Sequence, residues 1–365
     1  MAKRTTPPKT KKTSKATAKK AEAQTTLAKT TWEAFQLPGI DVRMWRAIHV
    51  DSDGDEIIPF GVPDVDPSYV FREDLVREIA WAVWPHDNDN PALAPNWTPC
   101  LLSGPKGSGK TSLVLQIAAR CNIPVWRVNM NVGTSVRHLK GRVGAEPGRT
   151  VFIPGVLTSA MERGGWLVMD EFSAMTPPVA LSIFPALEPD GAVLLEDAQP
   201  PRYVRRHPAF RVFATDNVLG CAQEMNRFGY AGTNPDVNDA LMDRFGSFIE
   251  VGYMNRVDEA NAVKGKVPLA DQDTLEGILR VADGIRQSNE IASGFSTRMV
   301  IDWVRRVTAG QINAAGKEIV PDTDDDAFIL QAAQGAFLRR QKSSIEKDAM
   351  VETIRRIFTI DGEGV

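Results

Sequence analysis

Cysteine, histidine and long apolar runs are all scarce in this 365-residue sequence. The three cysteines, Cys100, Cys121 and Cys221, have no CxxC spacing, so a disulfide framework is not expected. The four histidines lack HExxH or Cys/His spacing, which argues against a protein-ligated transition metal. No stretch approaches the roughly 18 uninterrupted apolar residues of a membrane span, and the Lys-rich N-terminus lacks the apolar segment of a secretory signal. A cytoplasmic protein with no membrane partner is therefore expected.

Charge is distributed unevenly along the chain. Residues 1–30 contain nine Lys or Arg residues and one acid, a balance of +8, which leaves −11 for the remainder of a chain whose net charge is −3. This basic tail has almost nothing apolar to bury and is predicted to be disordered, because it cannot offset the entropy cost of ordering. A solubilising or tethering extension is the favoured interpretation, and binding of a polyanion such as DNA through counterion release is the alternative.

The remaining sequence divides into three parts by its pattern. Residues 31–95 are an irregular lead-in rich in Pro and Asp, with helical spacing at 72–84. Residues 96–255 alternate short apolar runs with amphipathic stretches, which predicts an α/β domain with a parallel sheet. Residues 256–365 predict a smaller helical domain. The predicted strands are Cys100–Ser103, Val125–Asn129, 166–169, 211–215 and 247–251, and the predicted helices of the last domain are 274–289, 297–309, 326–341 and 344–358.

The first predicted strand runs into the motif GPKGSGKT, which has the G-x-x-x-x-G-K-T spacing of a phosphate-binding loop and precedes a helix-like run. Glycines let backbone N–H groups converge on phosphate oxygens, and the N-terminus of the helix adds positive potential. Lys110 is expected to reach the β- and γ-phosphates of ATP, and Thr111 to ligate Mg²⁺. The predicted nucleotide-binding residues of this loop are Gly104, Pro105, Lys106, Gly107, Ser108, Gly109, Lys110, Thr111 and Ser112.

A second motif, WLVMDE, is an apolar strand that ends in two acids, Asp170 and Glu171. Asp170 is predicted to hold Mg²⁺ through water, and Glu171 to polarise the water that attacks the γ-phosphate. A strand ending in Asp-Glu is a moderate signal alone, and its pairing with the phosphate-binding loop makes it strong. The glutamate favours a hydrolase over a P-loop kinase or a nucleotide switch, neither of which needs a base at this position.

Three further polar residues are candidates for the same chemistry. Asn217 follows the fourth predicted strand and is expected to orient the lytic water, the alternative being an Asn in an ordinary turn. Arg244 ends a short predicted helix and is either an arginine finger or a surface cation paired with Asp243. Arg298 begins a helix of the second domain, from which it could fold back onto the γ-phosphate.

Together these motifs resemble the AAA+ ATPases, and more narrowly their MoxR-type branch, which contains the ATPase subunit of cobaltochelatase. The resemblance extends over about residues 59–298 and includes the fragments VPDVDP at 62–67, LEPDG at 187–191, HPAFR at 207–211 and MDR at 242–244. It implies that 104–111 is Walker A. The other implied assignments are Walker B at Asp170 and Glu171, sensor 1 at Asn217, a finger acting on a neighbouring subunit at Arg244 and sensor 2 at Arg298.

The resemblance also implies a hexameric ring with ATP between subunits and two insertions. The first lies within 141–165 with a helix at 154–163, and the second is a hairpin at 192–204; ordinary surface loops are the alternative for both. One departure from the family is Asp216, which precedes Asn217 where the chelatase subunit tends to have a small residue.

The function implied is that of a Mg²⁺-dependent ATPase, a ring motor that remodels or loads a partner protein. The expected partner carries an integrin-like metal-binding domain, and metal chelation by that partner is the process that the resemblance implies the motor drives. The rival hypothesis is a DNA-binding scaffold, in which the basic tail grips DNA and the P-loop domain serves assembly alone.

Overall fold

The computed structural model describes the backbone of three strands before residue 60, and then residues 60–84, 97–217, 240, 242–288, 290–291, 294–311 and 325–358. Two packed regions account for most of it: a parallel sheet with helices on both faces, and a group of helices that follows it in sequence. Within the described residues, no helix is long and apolar enough to cross a membrane.

The three strands before residue 60 are β1 Gln24–Thr30, β2 Met44–Val50 and β3 Glu56–Ile57, and they form an antiparallel sheet in that order. The prediction of disorder up to residue 30 is therefore wrong for 24–30, and the lead-in is not irregular throughout. The prediction considered only what one segment can bury, whereas β1 is paired along its whole length with β2, from another part of the sequence. Residues 1–23 lie outside the described residues.

Helix α1, Glu73–Val83, confirms the helical spacing noted at 72–84. Its buried face, which includes Val76 and Ile79, belongs to the same apolar cluster as Leu102 and Ile249 of the sheet. The α/β region therefore begins before residue 96, because α1 is part of its core.

The first region is built on the predicted five-stranded parallel sheet. Its strands are β4 Cys100–Ser103, β5 Val125–Asn129, β8 Trp166–Asp170, β11 Arg211–Asp216 and β12 Ser247–Glu250. Their order across the sheet is β12–β4–β11–β8–β5. All five predicted strands are confirmed to within one residue at each end. Because β4, β11 and β8 are neighbours, their carboxyl ends place the phosphate-binding loop, Asn217 and the acidic pair at one edge of the sheet.

Helices cover both faces of the sheet. They are α2 Lys110–Arg120, α3 Val136–Lys140, α4 Val156–Arg163 and α5 Pro177–Leu187, in addition to α1. Side chains alternate along a strand, so Trp166 and Val168 pack in the cluster with α1 and α2, whereas Leu167 and Met169 pack in the cluster with α4 and α5. Burial on both faces explains why the central strands β4 and β8 are largely continuous apolar runs rather than alternating ones.

Two β-hairpins are inserted into the α/β region. The first pairs β6 Gly141–Glu146 with β7 Arg149–Pro154, and the second pairs β9 Ala192–Leu195 with β10 Arg202–Arg205. The predicted hairpin at 192–204 is confirmed. In the first insertion the helix begins at Val156, two residues later than expected, and the hairpin before it was not predicted.

The second region is helical, as predicted. Its helices are α6 Arg256–Lys266, α7 Gln272–Gln287, α8 Thr297–Gln311, α9 Asp325–Ala336 and α10 Ser344–Phe358. They pack around a cluster in which the rings of Phe295 and Trp303 both contact Phe337 edge-on. The predicted helix at 326–341 ends earlier, and a 3₁₀ turn, Leu338–Arg340, takes its last residues.

A buried ion pair lies within this helical region. Both terminal nitrogens of Arg286 donate to the carboxylate of Glu259 at 2.7 Å, and its Nε donates to the carbonyl of Phe295 at 2.8 Å. Glu259 is 1% exposed and Arg286 9%. The pair therefore fixes the chain just before α8, the helix whose first turn contains Arg298.

Candidate active site

The predicted site residues meet in a cleft of about 300 Å³ at the carboxyl ends of the strands. Those that line it are Lys106, Gly107, Gly109, Lys110, Thr111, Ser112, Asp170, Glu171, Asn217 and Arg298. Arg298 reaches the cleft from the first turn of α8, so both regions of the molecule contribute to it. Of the candidates for catalysis, Arg244 is the one that does not line this cleft.

The loop between β4 and α2 has the backbone that only glycine adopts without strain. Gly104 has φ +148°, and a Cβ there would lie 2.3 Å from the carbonyl oxygen of Val251. Gly109, the residue before α2, has φ +96° with open space around it, so its conformation alone favours glycine. The loop thus delivers the N-terminus of α2 to the cleft, where unpaired N–H groups and the helix dipole favour an anion.

Lys110 is buried at the base of the cleft, with 7% of its surface exposed. Its Nζ donates to the carbonyls of Gly104 (3.0 Å) and Pro105 (2.9 Å) and to Oδ1 of Asn217 (3.0 Å). Burial lowers the pKa of the amine, and the nearby carboxylates oppose that shift. An amine held in this way carries its charge at the position where the loop and the end of β11 meet.

Asp170 is buried, with 5% of the residue's surface exposed, and its carboxylate accepts hydrogen bonds from three donors. Its Oδ1 accepts from the hydroxyls of Thr111 (2.6 Å) and Thr215 (2.8 Å). Its Oδ2 accepts from Nε of Arg127. The side chain is therefore fixed between the start of α2 and the ends of two neighbouring strands.

Glu171 follows β8 directly and adopts a left-handed conformation with φ +53°, which is uncommon for a residue with a side chain. Its side chain is exposed to the cleft, whereas that of Asp170 is buried. A strained position of this kind persists when its surroundings hold it, and it is a frequent feature of functional sites.

The carboxylate of Asp216 links the end of β11 to the segment that follows β8. Its Oδ2 accepts from the backbone N–H of Ser173, two residues beyond Glu171, and its Oδ1 accepts from the backbone N–H of Asn217, both at 2.7 Å. The departure from the family pattern noted at this position therefore has a structural consequence, because one buried carboxylate sets the relative position of Glu171 and Asn217.

Arg127, Asn129 and Thr215 line the cleft but were not predicted as site residues. Arg127 and Asn129 are two apart on β5, which puts both on the same face of that strand, and Asn129 is in register with Asp170 of β8. In the sequence, Arg127 and Asn129 are recognisable as two polar residues in an otherwise apolar strand. Their place in the site could not be predicted without knowing that β5 is next to β8 in the sheet.

A second cavity of about 300 Å³ lies on the other side of the loop. It shares Gly107, Gly109 and Arg298 with the cleft, and its other walls include Tyr69, Val70, Met254 and Ile301. Ser108, also in its wall, has a buried hydroxyl with no hydrogen-bond partner among the described residues. The space is thus mainly apolar and continuous with the phosphate-binding loop.

Arg244 follows a short helical turn and lies apart from the cleft of its own chain. Its Nε donates to Oε1 of Glu188 at 2.8 Å and its Nη1 to the carbonyl of Ala240 at 2.5 Å, and the guanidinium lies 4.2 Å from the ring centre of Phe184. The paired carboxylate is therefore that of Glu188, not the Asp243 that the sequence suggested as the alternative.

The donor set fits a nucleoside triphosphate with Mg²⁺. A buried amine and a helix N-terminus face the same space, as binding of a polyphosphate requires. The hydroxyl of Thr111 and the carboxylate of Asp170 are 2.6 Å apart, and hard oxygen donors of this kind are the ligands that Mg²⁺ prefers. Among the described residues, no group of three or more His, Cys, Asp or Glu could hold a metal by itself.

The fold and the cleft together define a P-loop nucleoside triphosphatase. A family model for the AAA domain, dynein-related subfamily, matches residues 99–245. The aerobic cobaltochelatase subunit CobS of Sinorhizobium sp is 32% identical, over 76% of this chain and 80% of that protein. The gas vesicle ATPase GvpN1 of Halobacterium salinarum is 27% identical, over 68% and 72%. The chain therefore belongs to the MoxR-type AAA+ ATPases, and the resemblance seen in the sequence is confirmed.

Among solved structures, the chain is similar to the RuvB Holliday junction branch migration motor of Thermotoga maritima. The TM-score is 0.47 and the identity 17%, over 84% of this chain and 83% of that one.

Proposed function

We propose that this member of an ATPase family is a Mg²⁺-dependent ring motor that uses ATP hydrolysis to remodel or load a partner protein. The observation that carries the proposal is the meeting of Lys110, Asp170, Glu171 and Asn217 in one cleft with Arg298 from the helical region, while Arg244 lies outside it. Such a site has groups to bind the phosphates, to hold Mg²⁺ and to activate water, and a neighbouring subunit can add a further cation.

Within one subunit, the loop 104–111 and the amine of Lys110 bind the phosphates. Thr111 would ligate Mg²⁺ and Asp170 would hold it through water, and the ion would supply neutralisation of the phosphate charge. Thr215 fixes Asp170 through the same oxygen as Thr111, so the carboxylate is oriented before nucleotide arrives. Preorganisation of this kind avoids reorganisation during the reaction.

Glu171 accepts the proton of the attacking water, and Asn217 orients that water. Both lie at adjacent strand ends that Asp216 holds together, so their spacing is fixed by the backbone. The chemistry needs positioning and charge stabilisation and no covalent intermediate. Arg298, which lines both cavities, is proposed to contact the γ-phosphate from the helical region.

The second cavity is proposed to take the base and ribose of the nucleotide. Its apolar walls, Tyr69, Val70, Met254 and Ile301, suit an aromatic ring, and it is continuous with the phosphate-binding loop. Because these walls come from both regions of the molecule, bound nucleotide bridges them.

Arg244 is proposed to act in trans, on ATP bound by the next subunit of a hexamer. Its distance from its own cleft and its 28% exposure are consistent with this role. Glu188 and Phe184 hold the guanidinium in one direction, which suits a group that must meet a γ-phosphate across an interface. A finger of this type contributes about 10³–10⁵ in rate where it has been measured.

The partner is proposed from the family rather than from the geometry. One relative is named as a subunit of an aerobic cobaltochelatase. The family resemblance implies a partner protein with an integrin-like metal-binding domain, and we propose that this partner carries out metal chelation. The hairpins β6–β7 and β9–β10 are the surfaces proposed for it, because the family resemblance assigns insertions at these positions to the pore or the partner and each hairpin has exposed residues.

The test is a trap. Tagged Glu171→Gln protein with ATP is expected to form a ring of six by analytical ultracentrifugation and to retain a partner that ADP releases. Recovery of a protein with an integrin-like metal-binding domain would support the chelatase-type function. The two hypotheses also differ in which change abolishes the protein's biological activity. If deletion of residues 1–30 abolished that activity and Glu171→Gln did not, the motor hypothesis would be rejected in favour of the DNA-binding scaffold.

A further inference from the structure

Arg127 makes a contact that the proposed mechanism does not use. Its Nε donates to Oδ2 of Asp170, the oxygen that neither Thr111 nor Thr215 contacts. Asp170 is almost fully buried, with a side chain 7% exposed, whereas that of Arg127 is 54% exposed. The guanidinium therefore enters the cleft from the solvent side and ends on the carboxylate that is proposed to serve Mg²⁺.

The pairing of β5 with β8 explains how the side chain of Arg127 comes to contact Asp170 at the end of β8. In the pairing of β5 with β8, Arg127 is opposite Val168 and Asn129 is opposite Asp170. Arg127 thus starts two residues, or about 7 Å, short of the strand end. A side chain of this length, extended along the strand, is needed to bring a cation to Asp170, and it can withdraw into solvent without any change in the backbone.

When no nucleotide is present, the ion pair with Arg127 offsets the negative charge of the buried Asp170 carboxylate. Asp170, Glu171 and Asp216 are all close enough to act on the amine of Lys110. Lys110, however, donates to two carbonyls and to Asn217, not to a carboxylate. The direct ion pair of buried Asp170 comes from Arg127, and a buried carboxylate without a paired cation is costly.

We propose that Arg127 is a positioning residue that takes the place of the divalent cation on Asp170 in the nucleotide-free site and so sets the Mg²⁺ concentration at which nucleotide binds. This proposal rests on the proposed function, in which Asp170 serves Mg²⁺. Binding of the cation beside Thr111 brings a second positive charge to the same carboxylate, and this charge opposes that of the guanidinium on Oδ2. A higher concentration of free Mg²⁺ is therefore needed for the site to bind nucleotide than would be needed without Arg127.

The test measures binding of a fluorescent ATP analogue to the full-length protein over a series of Mg²⁺ concentrations. Arg127→Gln is expected to lower the Mg²⁺ concentration at half-saturation by about two- to fivefold, the range that a partly exposed ion pair contributes. Arg127→Lys, which keeps a positive charge, is expected to restore most of the parental midpoint. Arg280→Gln, which removes a similarly exposed arginine from an ion pair on α7, is the matched control and should change nothing.

An Arg127→Gln midpoint equal to or above that of the parent would overturn the proposal. A second measurement needs no nucleotide: Mg²⁺ alone is expected to raise the melting temperature of Arg127→Gln more than that of the parent. If the parent bound no ATP analogue, the proposed function would fail. The melting series would still decide the role of Arg127, and an equal Mg²⁺ effect on both proteins would refute it.

Discussion

The amine of Lys110 donates a hydrogen bond to Oδ1 of Asn217 across 3.0 Å, although the two residues are 107 positions apart in the sequence. The contact joins the phosphate-binding loop to the end of β11. It follows directly from the strand order, because β4 and β11 are parallel neighbours in the sheet. A phosphate that draws the amine toward itself thus also acts on the residue proposed to orient water.

Replacement of Lys110 by Ala is expected to weaken ATP binding about 10- to 100-fold, the loss associated with one hydrogen bond to a charged group. The amine is buried at the base of the cleft, beside the loop that is proposed to bind the phosphates. Titration with a fluorescent ATP analogue measures the effect. Lys347→Ala, at an exposed position of α10, is the control, and equal affinities for the two variants would contradict the assignment.

Glu171→Gln is expected to bind ATP with nearly parental affinity and to hydrolyse it about 10²- to 10⁴-fold more slowly, the usual contribution of a general base. The amide keeps the size of the side chain but cannot take a proton from water. Single-turnover hydrolysis measures the rate separately from binding. Hydrolysis at the parental rate would show that Glu171 is not the base, whereas Glu196→Gln, an exposed acid in the second hairpin, should leave the rate unchanged.

Arg244→Ala is expected to leave ATP bound in an assembled ring with little hydrolysis. Mixing inactive Arg244→Ala and Glu171→Gln subunits should restore activity, because an Arg244→Ala subunit keeps its own base and receives the finger of its Glu171→Gln neighbour. Phosphate release from mixtures of different ratios tests this. Mixtures as inactive as either variant alone would place Arg244 outside the neighbouring site.

Glu259→Ala is expected to lower the free energy of unfolding by about 3–5 kcal/mol, because it leaves the buried guanidinium of Arg286 without its carboxylate. Urea denaturation monitored by Trp fluorescence measures the loss. Glu276→Ala removes a partner of Arg256 at an exposed ion pair and should cost at most about 1 kcal/mol. A similar cost for both variants would mean that burial does not distinguish the two pairs.

The sequence predicted the phosphate-binding loop, the acidic pair and the five strands because each is encoded within a short segment. Glycine spacing and a buried run that ends in two acids need no knowledge of distant residues. Arg127 and Thr215 could not be predicted in this way, because their roles depend on which strands are neighbours. The partner of Arg244 was likewise missed, since Glu188 precedes it by 56 positions.

The prediction of disorder at β1 was wrong for the same physical reason. A short segment of Thr, Ala and Lys buries too little to fold alone, but seven residues paired with β2 make up for this through backbone hydrogen bonds. The hairpin β6–β7 was missed for a related reason, since its strands are largely exposed and lack the apolar pattern of the central sheet. Pairing between segments, rather than composition, decides the structure at both places.

Phosphate release by the purified protein, given Mg²⁺ and ATP at concentrations where it self-associates, tests the central proposal most directly. The expected result is steady hydrolysis that rises more than linearly with protein concentration, because each site needs a finger from a second subunit, and that EDTA abolishes. A protein that assembles, binds no ATP and releases no phosphate under these conditions would contradict the proposed motor.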